Sequence, residues 1–321
     1  MVRPGLSIVV PLHNEEAIVE TLVQRLKTVM DGLGVNTEVI LVNDGSRDRT
    51  AEVLRQARGA DQRFKVIHLS RNFGHQRAIT AGLDYADGDA CIIMDGDLQD
   101  PPELIPDLLT RWREGYEVVH AVRSERRGET FIKKLTAKWF YRILQAMTDV
   151  PIAKDSGDFR LMDRKVVQAL RRIQERSRFL RGLVNWVGYR QTSVSYPREA
   201  RMAGETKFSM RRMIRFATDA ITSFSIIPLQ MATTFGLVVS ATAFVYAVSV
   251  LYDHFVTGRT VAGWTSLMIV VLFFGGIQMI FLGVLGEYLG RVFEEVKQRP
   301  LYLIASLEGF PEEGNRSSSN N

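Results

Sequence analysis

Two acidic residues, Asp95 and Asp97, follow an apolar run in the stretch ACIIMDGDLQDPPEL. The residues from Ala90 to Met94 form a short, continuous apolar segment, which predicts a buried strand of a parallel sheet. Because Asp95 and Asp97 are two positions apart, an extended backbone would direct both carboxylates to the same side. Two hard oxygen ligands at the carboxyl end of a strand suit a divalent cation, Mg²⁺ or Mn²⁺. A solvated acidic turn is the alternative, because Asp-Gly turns are common.

Polar residues follow other predicted strands as well. The segments LSIVVPL, EVILVN and FKVIHLS predict strands, and amphipathic helices follow them, the first with Asn14 as its expected cap. This alternating order predicts an α/β fold with a doubly wound, mostly parallel sheet, whose ligands gather at the carboxyl ends of the strands. The segments that follow strands are Pro11 to Glu15, Asp44 to Ser46, Arg71 to Gly74 and Asp95 to Gln99. Asp44 is then either a turn or capping residue or a carboxylate that accepts a hydrogen bond from a nucleobase.

Short motifs narrow the class of protein. The sequence contains no G-x-G-x-x-G and no G-x-x-x-x-G-K-[ST], which counts against dinucleotide oxidoreductases and P-loop NTPases. Its five histidines are scattered, and no histidine and cysteine cluster has the spacing of a zinc site. In DSGDFRLMDRKVV, Asp163 is predicted to cap a helix. Asp158 follows a glycine and precedes Phe159 and Arg160, a pattern that capping does not explain.

Hydropathy divides the chain into two parts. The 321 residues carry a net charge of +5 and a mean hydropathy of −0.03, yet no charged residue occurs from Pro228 to Tyr252 or from Thr260 to Gly286. Each run exceeds the ~20 apolar residues that a helix needs to cross a bilayer. We therefore expect a soluble domain, an amphipathic juxtamembrane helix, two transmembrane helices and a cytoplasmic C-terminal tail. Their expected ranges are 1–205, 206–227, 228–252, 263–288 and 289–321.

Basic residues set the expected orientation. Arginine and lysine flank the outer ends of the two apolar runs, while the short loop between them holds only Arg259. The positive-inside rule therefore places both ends, and with them the soluble domain, in the cytoplasm. Segment 206–227 is predicted to lie along the membrane interface. The basic residues crowd next to the spans, which favours an anionic membrane or a phosphorylated lipid over nucleic acid as the partner.

Several motifs, taken in order, resemble a known family. They are SIVVPLHNEE, ILVNDGSRDRT, LSRNFGHQRAITAGLDYADGD, DGDLQDPPEL and DSGDFRLMDRKV, followed by two apolar spans and GEYLGRVFEEVKQRPLY. Together they resemble the family 2 polyisoprenyl-phosphate glycosyltransferases, nearest to the bacterial branch with two C-terminal membrane helices that includes bactoprenol glucosyltransferases. The resemblance covers about residues 5–307. It implies a GT-A fold (Rossmann-like, mostly parallel sheet), a divalent metal, and inverting transfer of a sugar to a polyprenyl phosphate.

The same resemblance assigns roles to individual positions. Asp95 and Asp97 resemble the metal motif, with Gln99 as a further ligand. The positions that resemble nucleotide-sugar-binding residues are Pro11, Asn14, Glu15, Asp44 and Asp95. Asp158 resembles the catalytic carboxylate. The positions that resemble phosphate-binding or lipid-binding residues are Arg123, Arg201 and Lys207, to which we add Lys138 from the basic segment 131–147.

The expected chemistry follows from these parts. A cation held by Asp95 and Asp97 would neutralise the charge that develops on the leaving diphosphate. The acceptor is itself a phosphate with a second pKa of about 6, so much of it is dianionic at neutral pH and a strong base is less necessary. Asp158 then either takes a residual proton or orients Arg160 and the acceptor, and both roles remain open.

The resemblance favours UDP-glucose as the donor and undecaprenyl phosphate as the acceptor, used by a multi-pass protein of the inner membrane. Two alternatives remain open: a processive polysaccharide synthase, although no Q-x-x-R-W motif is present, and a non-enzymatic membrane assembly protein with a degenerate transferase domain. Glycines in the second apolar run permit helix packing within one chain or between subunits. They are Gly275, Gly276, Gly283, Gly286 and Gly290. The family branch implies a homo-oligomer, a tetramer.

Overall fold

The computed structural model describes residues 4–123, 156–176, 178–196, 227–252, 255–256 and 263–311. The chain separates into two compact units. The first holds a mixed β-sheet with its helices, and it includes the residues from Arg299 onward. The second contains the two long apolar helices. The predicted juxtamembrane helix, 206–227, lies outside the described residues except for Ile227.

Strands and helices alternate along the sheet unit. The strands are β1 (Leu6–Leu12), β2 (Thr37–Asn43), β3 (Phe64–Leu69), β4 (Ala90–Ile93), β5 (Val118–Arg123), β6 (Ser156–Asp163), β7 (Gln191–Tyr196) and β8 (Ile304–Glu308). Its helices are α1 (Val19–Gly32), α2 (Thr50–Ala60), α3 (His75–Tyr85), α4 (Ile105–Arg113), α5 (Arg164–Arg172) and α6 (Leu180–Trp186). A 3₁₀ turn, Pro102–Leu104, leads into α4, and proline is well tolerated at such a helix start.

The strand order is β7-β5-β6-β4-β1-β2-β3-β8. Strand β1 pairs in parallel with β2 and β4, β2 with β3, and β5 with β7. This confirms the α/β fold with parallel strands. Strand β6 runs antiparallel between β4 and β5, and β8 runs antiparallel on the other edge, so the sheet is mixed.

Helices on the sheet faces explain why the central strands are apolar along their whole length. Every residue of β1 and β2 is buried, as expected for strands covered on both faces. Helix α1 buries Leu22, Leu26 and Met30, which follow one another at one-turn intervals. Gly82 of α3 lies so close to β1 that an added Cβ would come 2.2 Å from Val9 Cγ1. The close packing fixes α3, and with it the loop that precedes α3, against the sheet.

The first helix begins later than predicted, and Asn14 does not cap it. Helix α1 starts at Val19, and Asn14 adopts a left-handed backbone conformation with φ of 55°. Asparagine tolerates this region because its short polar side chain forms local hydrogen bonds. Residues 13–16 are therefore a structured loop instead of a helical turn.

The prediction that residues 289–321 form a C-terminal tail was wrong in two respects. The second long helix continues to Val296, and Ile304–Glu308 forms strand β8 of the sheet. Tyr302 donates a hydrogen bond to Asp84 Oδ2 (2.8 Å), and the N–H of Ser70 donates to the carbonyl of Leu303 (2.9 Å). The segment after the second apolar helix is therefore part of the sheet unit.

Truncation after Gln298 is expected to destabilise the sheet unit, because it removes β8 and exposes the backbone groups of β3. We expect the Tm to fall by roughly 5–10 °C. Truncation after Pro311, which keeps β8, is the matched control and is expected to leave the Tm unchanged. Thermal unfolding of both purified chains in detergent measures the difference, and equal Tm values would contradict the structural role of β8.

The second unit contains α7 (Ile227–Tyr252) and α8 (Trp264–Val296), which contact each other through the rings of Phe235 and Phe281 at 6.0 Å. Both helices are long and apolar enough to cross a membrane, judged by length and composition. The apolar windows, Leu229–Tyr246 and Phe273–Val296, are exposed along their length. Exposed apolar surface of this extent is typical of a lipid-facing segment.

Candidate active site

The site is formed by loops at one edge of the sheet. Because β1, β2, β3 and β4 run in the same direction, their carboxyl ends meet at this edge, where α/β proteins bind ligands. The loops that follow these strands start at His13, Asp44, Ser70 and Met94. The structure therefore confirms that the polar segments singled out in the sequence lie on a common edge.

The loop after β1 is joined to the loop after β2 by hydrogen bonds. The N–H of Asn14 donates to Ser46 Oγ (3.0 Å), and Asn14 Oδ1 accepts from the N–H of Arg47 (2.9 Å). The N–H of Glu15 donates to Thr50 Oγ1 (2.9 Å). Asn14 and Glu15, two predicted nucleotide-binding residues, thus fix the loop after β1 against the loop after β2.

Asp44 is buried and binds the loop that leads into α3. Its Oδ1 accepts from the N–H of Phe73 (2.7 Å) and its Oδ2 from the N–H of Gly74 (2.9 Å). Gly45 has a φ of +62°, and an added Cβ would lie 2.3 Å from the carbonyl carbon of Arg71. In the structure Asp44 has the turn or capping role, because its carboxylate accepts hydrogen bonds from two backbone N–H groups of the loop that leads into α3.

Replacing Asp44 with alanine is expected to leave two backbone N–H groups without their acceptor. We expect the free energy of unfolding to fall by about 1–2 kcal/mol. Because the 71–74 loop leads into His75, we also expect weaker binding of the nucleotide sugar that the family resemblance implies. Chemical denaturation and donor KM measure the two effects, with exposed Asp107→Ala as the control; a wild-type unfolding curve would contradict the capping role.

Asp95 lies where β4 ends, and one of its oxygens has no hydrogen-bond partner. Asp95 Oδ1 is buried and unpartnered among the described residues, although His75 Nε2 is 3.3 Å away without alignment for a hydrogen bond. Gly96 packs against β1: an added Cβ would be 2.4 Å from Leu12 Cδ2 and 3.2 Å from the carbonyl oxygen of Pro11. Glycine at this position lets the acidic turn approach Pro11, a predicted nucleotide-binding residue.

Asp97 is held by Gln99. The N–H of Gln99 donates to Asp97 Oδ1 (3.1 Å), and Gln99 Nε2 donates to Asp97 Oδ2 (2.8 Å). Gln99 thus supports Asp97, whereas its predicted role as a metal ligand stays a prediction. Burial raises the pKa of Glu15, and the negative charges of Asp97 and Asp48 raise it further.

Asp100 joins the acidic turn to the far strands of the sheet. The hydroxyl of Tyr196 donates to Asp100 Oδ1 (2.7 Å), and the N–H of Asp95 donates to Asp100 Oδ2 (3.5 Å). Tyr196 ends β7 and pairs with Arg123, the last residue of β5. The register therefore puts Arg123, a predicted phosphate-binding residue, at the same edge of the sheet as the acidic turn.

Asp158 is a buried carboxylate surrounded by donors. Arg181 donates from Nε to Oδ1 (2.8 Å) and from Nη2 to Oδ2 (3.0 Å). His75 Nε2 and Gln76 Nε2 lie 3.2 and 3.3 Å from Oδ2, and Arg160 Nη2 lies 3.5 Å from Oδ1. So many charge-assisted contacts are typical of a site that keeps a carboxylate ionised.

The electrostatics of Asp158 follow from these contacts. Burial alone would raise its pKa, but the hydrogen bonds from His75 and Arg181 and the charge of Arg160 hold the pKa well below its ordinary value. Burial likewise opposes protonation of His75, yet its contacts with the carboxylates of Asp158 and Asp95 raise the pKa of His75 to about 10. A carboxylate that is so strongly ionised is a weak base, which favours an orienting role for Asp158.

Three ligand-type atoms converge beside this carboxylate. Atoms of His75, Asp95 and Asp158 all lie within 4.8 Å of one another, a grouping that could hold a metal ion. The buried, unpartnered Oδ1 of Asp95 is an acceptor that a hard cation would satisfy. A divalent metal therefore fits best at Asp95, the residue common to this grouping and to the predicted Asp95–Asp97 motif, because Asp158 is already bonded to His75 and Arg181.

Sequence reasoning missed three residues of the site: His75, Gln76 and Arg181. His75 and Gln76 lie in the motif NFGHQRA, which the resemblance included, and Arg181 lies in FLRG without any such signal. Lys138, Arg201 and Lys207, three predicted phosphate-binding residues, lie outside the described residues. Asp163 caps α5 as predicted, accepting from the N–H of Lys165 (3.0 Å).

The fold and the acidic edge of the sheet define a GT-A-type glycosyltransferase. Residues 7–171 match the model of glycosyl transferase family 2, and the chain belongs to this family. It is 52% identical to the uncharacterized glycosyltransferase YkcC of Bacillus subtilis (strain 168), over 95% of this chain and 94% of that protein. It is 41% identical to the prophage bactoprenol glucosyl transferase homolog of Escherichia coli (strain K12), over 94% of this chain and 99% of that protein.

A further relative is the bactoprenol glucosyl transferase of Shigella phage SfII. It is 40% identical to this chain, over 93% of this chain and 97% of the relative. The similarity thus extends through the two long helices and is not confined to the sheet unit.

Proposed function

We propose that this enzyme transfers one glucose from UDP-glucose to undecaprenyl phosphate, with inversion, at the cytoplasmic face of the inner membrane. The lipid-linked glucose would then serve as a donor for glycan modification. The observation that carries this proposal is the juxtaposition, at one edge of the sheet, of the buried carboxylate of Asp158 and of Asp95, one oxygen of which is buried without a hydrogen-bond partner. Relatives named bactoprenol glucosyl transferase support the choice of sugar and acceptor.

The residues have four roles in this reaction. Pro11, near the end of β1, and Asn14, Glu15 and Asp44, in the loops that follow β1 and β2, would bind the nucleotide. Asp95 and Asp97, supported by Gln99, would hold Mg²⁺ or Mn²⁺, which when bound neutralises charge on the leaving diphosphate. Asp158 orients the acceptor phosphate. The basic residues that bind phosphate and lipid are Arg123, Lys138, Arg201 and Lys207.

The long helices would span the membrane and anchor the catalytic unit to it. The positive-inside rule, applied to the residues that flank them, places the catalytic unit in the cytoplasm. A homo-oligomer packed through the glycines of α8 is part of the same proposal.

Transfer of radiolabelled sugar tests the proposal. Purified protein is incubated with undecaprenyl phosphate and a panel of UDP- and GDP-sugars, with Mn²⁺ or Mg²⁺ and with EDTA. We expect lipid labelling from UDP-glucose that EDTA abolishes and that Asp95→Asn and Asp158→Asn lack. Labelling from another donor would correct the sugar, and no labelling from any donor by folded protein would contradict the proposal.

A further inference from the structure

Asp158 carries a buried charge that is fixed by side chains from two helices. Its side chain is 4% exposed. Arg181 of α6 contacts both carboxylate oxygens, through Nε at 2.8 Å and Nη2 at 3.0 Å. Two parallel contacts from one rigid guanidinium fix the position of the carboxylate. They also fix its plane, because rotation of the carboxylate would break one of the two hydrogen bonds.

Gln76 joins the helix that carries Arg181 to the carboxylate itself. Its Nε2 lies 3.3 Å from Asp158 Oδ2, and its Oε1 accepts from the N–H of Leu180 at 3.2 Å. Leu180 is the first residue of α6, so this N–H has no acceptor within the helix. The amide of Gln76, on α3, therefore links the start of α6 to Asp158. It can do so because an amide side chain carries both a donor and an acceptor.

Charge neutralisation alone does not account for this arrangement. Arg160, whose side chain is 2% exposed, already lies 3.5 Å from Asp158 Oδ1. Arg160 also donates to the carbonyl oxygen of Gly157 (2.9 Å) and thereby fixes the backbone next to Asp158. The negative charge of Asp158 is therefore already balanced by Arg160. Arg181, whose side chain is one third exposed, mainly fixes the orientation of the carboxylate.

We infer that Arg181 and Gln76 are positioning residues that hold the Asp158 carboxylate in one orientation for the transfer reaction. The inference rests on the proposed function, in which Asp158 orients the acceptor phosphate. Neither residue needs to touch a substrate: Arg181 sets the plane of the carboxylate, and Gln76 sets where the helix carrying Arg181 begins. The affinity for the nucleotide sugar should then depend little on either residue.

Steady-state kinetics of Arg181→Ala and Arg181→Lys test the catalytic half of the inference. We expect kcat to fall by roughly 10²-fold in Arg181→Ala, since small displacements of a positioned group have effects of this size, while donor KM stays unchanged. Added guanidinium ion is expected to restore part of kcat in Arg181→Ala. Arg181→Lys keeps the charge but not the paired contact, and it should also lose kcat. Arg111→Ala, at an exposed arginine paired with Glu114 on α4, is the control.

Thermal unfolding tests the contacts without any substrate. In a cycle of Arg181→Ala, Asp158→Asn and the double variant, the Tm shifts are expected to be non-additive, as for residues in direct contact. Gln76→Glu should lower the Tm in the wild-type background, because it puts a like charge beside Asp158, and lower it less in Asp158→Asn.

The outcomes separate the inference from the function on which it rests. A wild-type kcat in Arg181→Lys, or additive Tm shifts in the cycle, would overturn the positioning role. If Arg181→Ala does not fold, Arg181→Lys decides the kinetic question. Failure of the wild-type protein to label undecaprenyl phosphate would refute the proposed function and the kinetic half of the inference. The contacts among Arg181, Gln76 and Asp158 would still be tested by the coupling in Tm, which is measured in the absence of substrate.

Discussion

Asp95→Asn is expected to lower kcat/KM for sugar transfer by roughly 10²- to 10³-fold, the size expected when charge stabilisation of a leaving group is removed. Asp95 is the acid that both the predicted Asp95–Asp97 motif and the grouping with His75 and Asp158 share. Asparagine retains the shape of the side chain but removes the negative charge that binds a cation. The loss should therefore appear in metal affinity as well as in rate.

Manganese binding, measured by electron paramagnetic resonance on the purified protein, checks this expectation independently of turnover. We expect Asp95→Asn to bind Mn²⁺ much more weakly than the wild-type protein. Asp107→Asn, at an exposed acid on α4, changes the net charge equally and should bind Mn²⁺ as the wild type does. Normal Mn²⁺ affinity in Asp95→Asn would contradict the assignment of this residue as a ligand.

Asp158→Asn is expected to lower kcat and to destabilise the sheet unit. Removing this carboxylate takes from Arg160, which is 1% exposed, its ion-pair partner at 3.5 Å, a change that typically costs about 3–5 kcal/mol of unfolding free energy. Arg181, which is more exposed, can regain water. Chemical denaturation measures the stability, and an unchanged unfolding free energy would contradict the ion-pair network.

The pH dependence of transfer separates the two roles left open for Asp158. Because its pKa is depressed below the ordinary value of 3.8, the stability it contributes is complete above that value and is lost as pH falls through the lower, folded pKa. Asp158 is thus ionised throughout pH 5–8, and an acid limb in this range belongs to another group. The acceptor phosphate, which has a second pKa of about 6, is a group whose titration would produce such an acid limb.

We therefore expect wild-type kcat/KM to fall below about pH 6, and Asp158→Asn to show the same limb at a lower plateau. If Asp158 were instead a general base that titrates near neutrality, the limb would disappear in the variant. Rate profiles from pH 5 to pH 8 at constant ionic strength make the comparison.

The sequence predicted the site most fully where strands and their following loops determine it. Asp44, Asp95 and the loop at Asn14 follow β2, β4 and β1, so the α/β order alone brings them to one edge. The capping role of Asn14 was wrong because its side chain bonds to Arg47, which is 33 residues away. A local pattern cannot distinguish such a contact from a helix cap.

Long-range packing determined what the sequence did not reveal. His75 and Arg181 meet Asp158 from separations of 83 and 23 residues, and neither has a local pattern that indicates the contact. Strand β6 was not predicted, because the apolar run in its centre, FRLM, is interrupted by the buried Arg160. Strand β8 is short and partly exposed, so only its pairing with β3 distinguishes it from a tail.

The structure of the lipid product is the most direct test of the central claim. After incubation with UDP-glucose, undecaprenyl phosphate and Mn²⁺, the lipid fraction is analysed by mass spectrometry and proton NMR. We predict a single hexose joined to the lipid phosphate through a β-linkage, the result of one inversion at the anomeric carbon of an α-linked donor. A chain of several sugars would indicate a processive synthase, and unmodified lipid would contradict the proposed transfer.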